Sequence, residues 1–532
     1  MKKKNILYIA TLIAFLVVGF SSCVEDEGSY EMSDINEVKI SGIEEEYNLI
    51  SFQETLNITP EIECTQKGIS EDDLEYKWFV CTGSLSGSEA DHKHVVIGTE
   101  RNLSYKVDVA PGNYLIYFQV KDKHTGLKFE QYFSLKAISS FVRGFYLYGD
   151  KADGTVGIDF VSMPTGRDTI LVKDIFVNSQ KIKGAKDLIF TGHYNNGYNA
   201  LWAITDDYQY KVEYSAQLEK VDIIPDENLE NIIFPTMEAV QRPFHLTNIS
   251  PGTYGPTCIS LSRSTRVIIT ENEIYAASII MSEAYGNPIN RDTSSPTAAL
   301  FKPYPYAFYS AASTSVGYVF FFDMTNHCFK KPVGSSLLGS TSYCERPNDS
   351  ETPFYLDQNK YNPIRQMVYA ENGYGNAGRS YALMNDENGD YYVYGFRAPA
   401  NYKSDPTKEF ATQIDLSVAT DFEKASHYAF FSMQSVLLYS VGSKLYAYDY
   451  DRKVCKLIED YGAEVTYLAM EHYSTSTPTD FIVATYSDAA KGTVSKYTID
   501  DDVNNINVTL HEKEVWKTDL KVVKVVWKYS TF

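Results

Sequence analysis

Hydrophobic and polar residues alternate in short runs along residues 35–139, and turn-forming residues separate the runs. A period of two residues is typical of strands with one buried and one exposed face. Pro111-Gly112-Asn113 and Thr125-Gly126 are two of the turn signals. The runs that predict strands are Val38–Ile40, Leu56–Ile62, Glu75–Val80, Tyr114–Lys121 and Lys128–Lys136. About 100 residues of short strands predict an immunoglobulin-like β-sandwich over residues 35–139.

From residue 141 to residue 532 the pattern changes to recurrent β-hairpins, without a long amphipathic helix. Turn signals such as Asp153-Gly154 and Asn388-Gly389 separate paired apolar runs. The predicted pairs are Gly144–Gly149 with Val156–Val161, Leu188–Thr191 with Ala200–Thr205, Arg266–Thr270 with Glu273–Ala277, Tyr381–Asn385 with Tyr391–Phe396, Val436–Tyr439 with Lys444–Asp449, and Phe481–Tyr486 with Thr493–Ile499. Together with the lone run Gly317–Asp323 they make about seven units, which predict a β-propeller-like domain.

The predicted fold class is therefore all-β, with a sandwich followed by a propeller-like domain of about seven blades. The final run, Leu520–Tyr529, predicts a strand that closes the ring by pairing with the first blade. A pair of packed β-sandwiches over residues 141–532 is the alternative architecture.

The amino terminus carries an export signal. Lys2–Lys4 precede an apolar run, Ile6–Phe20, which is followed by Ser21, Ser22 and Cys23. This order is typical of a secretory signal, and the apolar run is too short to span the roughly 30 Å apolar core of a bilayer.

The segment Phe20-Ser21-Ser22-Cys23 resembles a bacterial lipobox, in which the cysteine becomes the lipidated first residue. It departs from that pattern at Phe20, where leucine is usual, and at Ser22, where glycine or alanine is usual. The acidic residues Glu25-Asp26-Glu27 resemble the surface-export signal of one Gram-negative phylum. We therefore expect a signal peptide over residues 1–22 and an acidic tether over residues 23–34. The protein would be held in the outer membrane through acylated Cys23 and face the cell exterior. An ordinary secretory signal with an incidental cysteine is the alternative.

The charge of the chain limits the partners that it can bind. The sequence has 48 Lys and Arg and 69 Asp and Glu, for a net charge of −21. A field of this sign repels nucleic acids and anionic headgroups, so acyl chains and not a basic patch would hold the protein at the membrane. Aromatic residues make up 14% of the chain, which favours β-structure.

Six cysteines follow Cys23, and none of them forms a Cys-x-x-Cys pair. The spacing therefore indicates neither a zinc ribbon nor a redox motif. Cys64 and Cys81 lie on strands predicted to be neighbours and are a candidate disulfide, with Cys328 and Cys344 as the next candidates.

Two features of the predicted sandwich resemble a polycystic-kidney-disease (PKD) domain. Trp78 occupies the place of a core tryptophan on a third strand. Pro111-Gly112-Asn113-Tyr114, followed by Val120-Lys121-Asp122 and Gly126, is similar to the penultimate strand of that family. The usual Trp-x-Phe-Gly-Asp-Gly segment is absent after Trp78, so the resemblance is to a PKD-like relative.

The whole layout resembles the PKD-like lipoproteins found with Sus-type outer-membrane nutrient importers. The segments that carry this likeness are Asp34–Val38, Gly144–Leu147, Ser380–Met384, Lys444–Asp449 and Lys521–Val525. The resemblance implies a barrel transporter and its lid lipoprotein as partners.

A search for catalytic motifs is mostly negative. There is no His-Glu-x-x-His zinc site and no Gly-x-Ser-x-Gly nucleophile elbow. His92 and His94 form a His-x-His pair, for which a loop of the sandwich is the simpler interpretation. We therefore predict no catalytic residue, no metal and no cofactor. Carboxylate pairs for glycoside hydrolysis remain open, because they come from distant segments.

Two irregular stretches, residues 285–315 and 343–379, combine aromatic residues with Asn and Arg. Flat apolar faces and directed hydrogen bonds suit recognition of sugars or peptides, and long loops in compact domains are often functional. The candidate ligand-binding residues are Asn290, Arg291, Tyr304, Tyr306, Tyr309, Tyr361, Arg365 and Tyr374. Packing of these side chains onto the blades is the alternative.

The sequence thus predicts a non-catalytic surface lipoprotein that helps an importer to capture an oligosaccharide or a peptide. A glycan hydrolase or lyase hidden in the propeller is one alternative, and a surface adhesion or assembly protein is another.

Overall fold

The structure, a computed structural model, describes residues 35–82, 93–141, 143–164, 166–191, 200–215, 220–250, 265–278, 284–309, 319–334, 342–471, 479–500, 502 and 505–528. The chain divides into two compact units, Met1–Ala137 and Ile138–Phe532. Over the described part of the chain, no helix has both the length and the apolar character needed to cross a membrane.

The first unit is a β-sandwich of nine strands within its described residues. The strands are β1 (Val38–Ser41), β2 (Glu46–Ile50), β3 (Thr55–Ile58), β4 (Glu61–Cys64), β5 (Leu74–Cys81), β6 (His94–Gly98), β7 (Leu103–Lys106), β8 (Gly112–Asp122) and β9 (Lys128–Ile138). One sheet has the order β2-β9-β8-β5-β6, and the pairs β1–β4 and β3–β7 make up the remainder. The predicted immunoglobulin-like sandwich is confirmed.

Trp78 forms the centre of the sandwich core, as the sequence predicted. Its side chain is fully buried and stacks on Phe118, with 4.0 Å between the ring centres. The indole nitrogen donates a hydrogen bond of 2.9 Å to the carbonyl oxygen of Glu100. Because that N–H is satisfied, the tryptophan stabilises the core without a penalty for a buried polar group.

The Pro-Gly-x-Tyr motif has a structural role at the start of β8. The hydroxyl of Tyr114 donates a hydrogen bond of 2.7 Å to the carbonyl oxygen of Ala110, four residues upstream. This contact ties the turn to the strand, in the manner of the tyrosine corner of immunoglobulin-like domains.

The candidate disulfide between Cys64 and Cys81 is wrong, because both thiols are free. β4, which ends at Cys64, pairs with β1, whereas β5, which ends at Cys81, pairs with β6 and β8. The two cysteines are therefore on different sheets and not on neighbouring strands. Cys328 and Cys344 are also free.

The described residues of the second unit form seven antiparallel sheets in chain order, here called blades 1 to 7. Blade 1 contains β10 (Gly144–Asp150), β11 (Val156–Ser162), β12 (Ile170–Val172) and the last strand, β35 (Lys521–Lys528); blade 2 contains β13 (Ala185–Thr191), β14 (Ala200–Thr205), β15 (Gln209–Ser215) and β16 (Lys220–Ile223); blade 3 contains β17 (Leu246–Ser250), β18 (Thr265–Thr270) and β19 (Ile274–Ser278); blade 4 contains β20 (Phe321–Asp323), β21 (Cys328–Pro332) and β22 (Cys344–Glu345).

The last three blades each have four strands. Blade 5 contains β23 (Gln366–Asn372), β24 (Ser380–Asn385), β25 (Tyr391–Arg397) and β26 (Thr407–Gln413); blade 6 contains β27 (His427–Phe431), β28 (Val436–Val441), β29 (Lys444–Asp449) and β30 (Val454–Asp460); blade 7 contains β31 (Glu464–Glu471), β32 (Asp480–Ser487), β33 (Lys491–Ile499) and β34 (Val508–Thr518). The helical turns of the described chain are Glu71–Asp73, Leu229–Asn231, Gln358–Lys360, Gly375–Gly378 and Phe422–Lys424.

Side-chain packing joins the blades into a ring. Each buried hydrophobic cluster of the second unit draws residues from two neighbouring blades, from the pair 1–2 through to the pair 6–7. A further cluster, which includes Phe145, Trp516 and Trp527, joins blade 7 to blade 1. The propeller-like prediction is confirmed.

The last strand closes the ring as the sequence predicted. β35 pairs with β10, from Gly144 opposite Lys528 to Asp150 opposite Lys521. Because the strand order of blade 1 is β12-β11-β10-β35, the last strand of the chain is the innermost strand of the first blade. Over the described residues, the two ends of the second unit are therefore joined by backbone pairing within one blade.

Candidate functional site

A cavity of about 280 Å³, here called the axial cavity, lies among the innermost segments of the blades. Its size is near the lower end of the roughly 300–1,000 Å³ that is common for ligand pockets. The side chains that matter for its chemistry are Asp187, Asn248, Tyr306, Tyr309, Tyr369, Glu371, Asn372, Tyr467, Glu471, Lys524 and Trp527. They come from blades 1, 2, 3, 4, 5 and 7.

Strand geometry places the most polar of these side chains. Alternate residues of a strand face the same side, so Tyr369 and Glu371 of β23 both reach the cavity. Tyr467 and Glu471 of β31 do the same from blade 7. β31 and β35 pack against each other, which brings Tyr467 to the backbone of Val525, where its hydroxyl donates a hydrogen bond of 3.1 Å to the carbonyl oxygen.

Glu371 is the most unusual group of the cavity. Its Oε2 atom accepts a hydrogen bond of 2.7 Å from the backbone N–H of Phe430 and one of 3.3 Å from the hydroxyl of Tyr369. Burial nevertheless raises the pKa of this carboxyl group from 4.5 to about 8, because the two bonds offset only part of the lost hydration. Glu371 is therefore mostly protonated at neutral pH.

The tyrosines around Glu371 are held in place and stay neutral. Burial raises the pKa of Tyr467 to about 12; the ammonium group of Lys524 acts against this, and the carboxylates of Asp187, Glu471 and Glu371 act with it. Burial and Glu371 also raise the pKa of Tyr369 well above its usual value.

Two other carboxylates of the cavity have cationic partners. Asp187 is 2.9 Å from the ammonium group of Lys524. Glu471 is 3.5 Å from the ammonium group of Lys496, which is itself buried and 3.1 Å from Asp480. Lys524 offsets the charge of Asp187, whereas the single ammonium group of Lys496 is shared by Glu471, Asp480 and Glu514.

Among the described residues, no group of three or more His, Cys, Asp and Glu side chains is arranged to hold a metal ion. His92 lies outside the described residues, and the ring of His94 is hydrogen-bonded to the hydroxyl of Tyr117. Cys23 and the predicted signal and tether, residues 1–34, also lie outside them.

Of the eight candidate ligand-binding residues, Tyr306 and Tyr309 line the axial cavity. They belong to a segment that pairs with the inner edge of blade 4, since Phe308 and Phe320 exchange two backbone hydrogen bonds. The hydroxyl of Tyr306 accepts a hydrogen bond of 2.7 Å from the backbone N–H of Asn372, which joins blade 4 to blade 5.

Asn290 and Arg291 are fully buried packing residues. The amide of Asn290 donates hydrogen bonds to the carbonyl oxygens of Asn272 and Phe301, at 2.8 and 2.6 Å. The guanidinium group of Arg291 donates to the carbonyl oxygens of Ser342 and Ser295, at 3.0 and 3.1 Å. The hydrogen bonds of both side chains hold the long stretch 285–309 in place.

Tyr304, Tyr361 and Arg365 also make contacts within the fold. The hydroxyl of Tyr304 donates a hydrogen bond of 2.9 Å to the carbonyl oxygen of Val368. Arg365 packs against the ring of Tyr361, with 3.8 Å from the guanidinium carbon to the ring centre. Tyr374 is half-buried and precedes the short helix Gly375–Gly378. None of these four residues lines the axial cavity.

Sequence reasoning did not select Tyr369, Glu371, Tyr467 or Lys524. It treated residues 343–379 as irregular, whereas the structure has an inner strand, β23, at Gln366–Asn372. The available signal was alternation: Tyr369 and Glu371, like Tyr467 and Glu471, are spaced by multiples of two residues along their strands.

The protein is thus an all-β protein with a sandwich and a propeller-like domain whose axis holds an aromatic, polar cavity. Residues 23–186 match the PKD-like family. The match covers the sandwich and continues into the first strands of the second unit. No curated protein matches the chain.

The solved structures that resemble this chain in fold have low sequence identity to it. A quinonprotein alcohol dehydrogenase-like protein from Bacteroides thetaiotaomicron is 13% identical, with 93% of this chain and 100% of that chain covered and a TM-score of 0.37. Kluyveromyces lactis Hsv2p is 10% identical over 69% and 98% of the two chains, with a TM-score of 0.34. The β-propeller domain of Myceliophteria thermophila Cps50 (Swd1) is 10% identical over 70% and 89%, with a TM-score of 0.26. Likeness at this level carries no argument about chemistry.

Proposed function

We propose that this protein is a surface lipoprotein that binds a small ligand, or the end of a larger one, in the axial cavity. The observation that carries the proposal is the cavity itself, in which aromatic rings surround a few fixed polar groups. Such a combination is typical of binding sites, where apolar faces supply affinity and polar groups supply orientation.

The binding would be non-catalytic and would serve an importer. The export signal, Cys23 and the acidic residues after it support a lipid anchor at the cell surface, and the match to the PKD-like family fits a surface protein. A tethered binding domain raises the local concentration of ligand beside a transporter. The partners proposed are a Sus-type barrel and its lid lipoprotein, and the ligand is an oligosaccharide or a peptide.

The binding proposal is tested with the purified mature protein. Titration calorimetry with a panel of oligosaccharides and short peptides should find a ligand whose affinity falls at least tenfold in Tyr369→Ala and in Tyr467→Ala. Tyr132→Ala is the matched control, because Tyr132 is on the sandwich and 73% exposed. Equal affinity in all four proteins would contradict a site in the axial cavity.

The cellular part of the proposal is tested with a C-terminal tag and mild-detergent extraction. Recovery of a large outer-membrane barrel together with its lid lipoprotein would support an importer subunit. Recovery of the tagged protein alone would contradict it. Resistance of the protein to protease on intact cells would contradict the surface location, and normal processing of Cys23→Ser would contradict lipidation.

A second candidate function is glycan hydrolysis. A general acid must hold a proton at the working pH, and Glu371 has the raised pKa that this role needs. The test is turnover of polysaccharides by the purified protein. Turnover that is lost in Glu371→Gln would replace the non-catalytic proposal with this one.

A further inference from the structure

The carboxyl groups at the axial cavity differ in whether they have a cationic partner. Asp187 is paired with Lys524, and Glu471 is paired with Lys496. The hydrogen bonds of Glu371 come from a backbone N–H and a tyrosine hydroxyl, and both end on Oε2. Within the described part of the chain, no Lys or Arg forms an ion pair with Glu371, which lines the cavity.

The groups that face Glu371 are aromatic and neutral. Tyr369 lies beside it on β23, and burial together with Glu371, Tyr306 and Tyr467 raises the pKa of Tyr369. Tyr306 and Tyr467, from blades 4 and 7, line the same cavity, while Tyr381 on the neighbouring strand β24 is buried against Phe430 and does not line it. Electron-rich faces of tyrosine rings attract organic cations, so this wall favours a positive charge next to the carboxyl group.

We propose that the axial cavity binds the protonated amine of its ligand, with the ammonium group against Glu371 and the tyrosine rings around it. This inference rests on the proposed binding function and narrows its ligand class. The amine can belong to an amino sugar or to a peptide, and the cavity volume fits one such unit and not a long chain. The ligand would supply the cation that the fold does not place beside Glu371.

Binding of this kind releases a proton. In the free protein Glu371 is mostly protonated at pH 7, and an adjacent ammonium group favours the ionised carboxylate. About one proton therefore leaves for each ligand bound. As the pH rises toward the pKa of Glu371, the affinity for the ligand should increase by up to about tenfold per pH unit. A lysine side chain, with a pKa of about 10.4, keeps its own charge over this range.

The experiment uses four probes in two matched pairs. Nα-acetyl-lysine amide and its Nε-acetylated form test the peptide source, and glucosamine and N-acetylglucosamine test the sugar source. Calorimetry in two buffers of different ionisation enthalpy counts the protons released. The variants are Glu371→Gln, which resembles the protonated acid and should fold, and Glu459→Gln on the exposed outer strand β30 as the control.

We expect one free amine to bind at least tenfold more tightly than its acetylated partner, with release of about one proton at pH 7. Glu371→Gln should lose both the discrimination and the proton release, while Glu459→Gln keeps them. Equal binding of an amine and its acetylated form in the cavity would overturn the cation inference and leave the binding function standing. If no probe binds and no panel ligand depends on Tyr369 or Tyr467, both proposals fail together.

Discussion

The guanidinium carbon of Arg365 lies 3.5 Å from the centre of the Tyr392 ring, with the ring of Tyr361 against the same group. The guanidinium also donates a hydrogen bond of 2.6 Å to the hydroxyl of Tyr394. These three contacts hold the turn after Gln358–Lys360 against β25. Arginine suits ligand recognition, but here Arg365 holds two segments of the fold together.

Arg365→Ala should therefore destabilise the propeller without changing ligand binding. Loss of stacking in a half-buried site together with loss of a hydrogen bond predicts a decrease of about 2–3 kcal/mol in the free energy of unfolding. Arg365→Lys keeps the charge but not the planar stack, so its decrease should be smaller. Urea unfolding measures both. A fall in ligand affinity at unchanged stability would show that Arg365 belongs to a binding site instead.

The stability of the protein should depend on Glu371 between pH 4.5 and 8. The pKa of this carboxyl group is about 8 in the folded protein and 4.5 when it is fully solvated. The folded state then binds more protons than the unfolded state in this window, so this group makes the free energy of unfolding fall as pH rises through it. Below pH 4.5 and above pH 8 its effect is constant.

Glu371→Gln removes this titration. Compared with the wild type, we expect the variant to lose less stability between pH 5 and pH 8 in thermal unfolding at a series of pH values. Glu459→Gln serves as the control, since its side chain is exposed. Parallel curves for wild type and Glu371→Gln would contradict the raised pKa.

The sequence was sufficient for the architecture because the middle strands of the blades carry the strongest signal. β24 with β25 and β28 with β29 are buried over most of their length, with residues packed against both neighbouring blades, so they read as nearly continuous apolar runs. Inner strands such as β23 and β31 mix polar and apolar residues, because one side faces the axis. Their weaker pattern is the reason that the cavity residues on these inner strands, such as Glu371 and Tyr467, were missed.

Some of the candidate ligand-binding residues chosen from the sequence do not line the cavity, for a different reason. Arg291 and Asn290 occur in a Pro-rich stretch that suits a binding loop, yet their partners are as distant in sequence as Ser342. Burial of a polar side chain by distant segments leaves no local signature. Tyr306 and Tyr309 were found because aromatic residues are frequent in both settings, not because the axis of the ring was visible in the sequence.

Removal of the Tyr114 hydroxyl should test the turn at the start of β8. Tyr114→Phe deletes its hydrogen bond to Ala110 and keeps the ring, which predicts a loss of about 1 kcal/mol in the stability of the sandwich. Tyr132→Phe, at a position that is 73% exposed, should change stability by less than about 0.5 kcal/mol. Differential scanning calorimetry of the two variants compares them directly. Equal effects would mean that the turn does not depend on the hydroxyl group.

Closure of the ring depends on the close approach of β10 and β35 at Gly149. A Cβ atom at this position would lie 2.1 Å from the carbonyl oxygen of Lys521, so the closing strand must move to accept any side chain. Gly149→Ala should therefore lower the free energy of unfolding by about 2–3 kcal/mol or more and expose the last strand to protease. Gly286→Ala, where nothing lies within 4 Å of the added methyl group, should have an effect within about 0.5 kcal/mol. Limited proteolysis and urea unfolding of the two variants measure this difference. A Gly149→Ala protein as stable as the Gly286→Ala control would show that β35 is not needed to hold the ring closed.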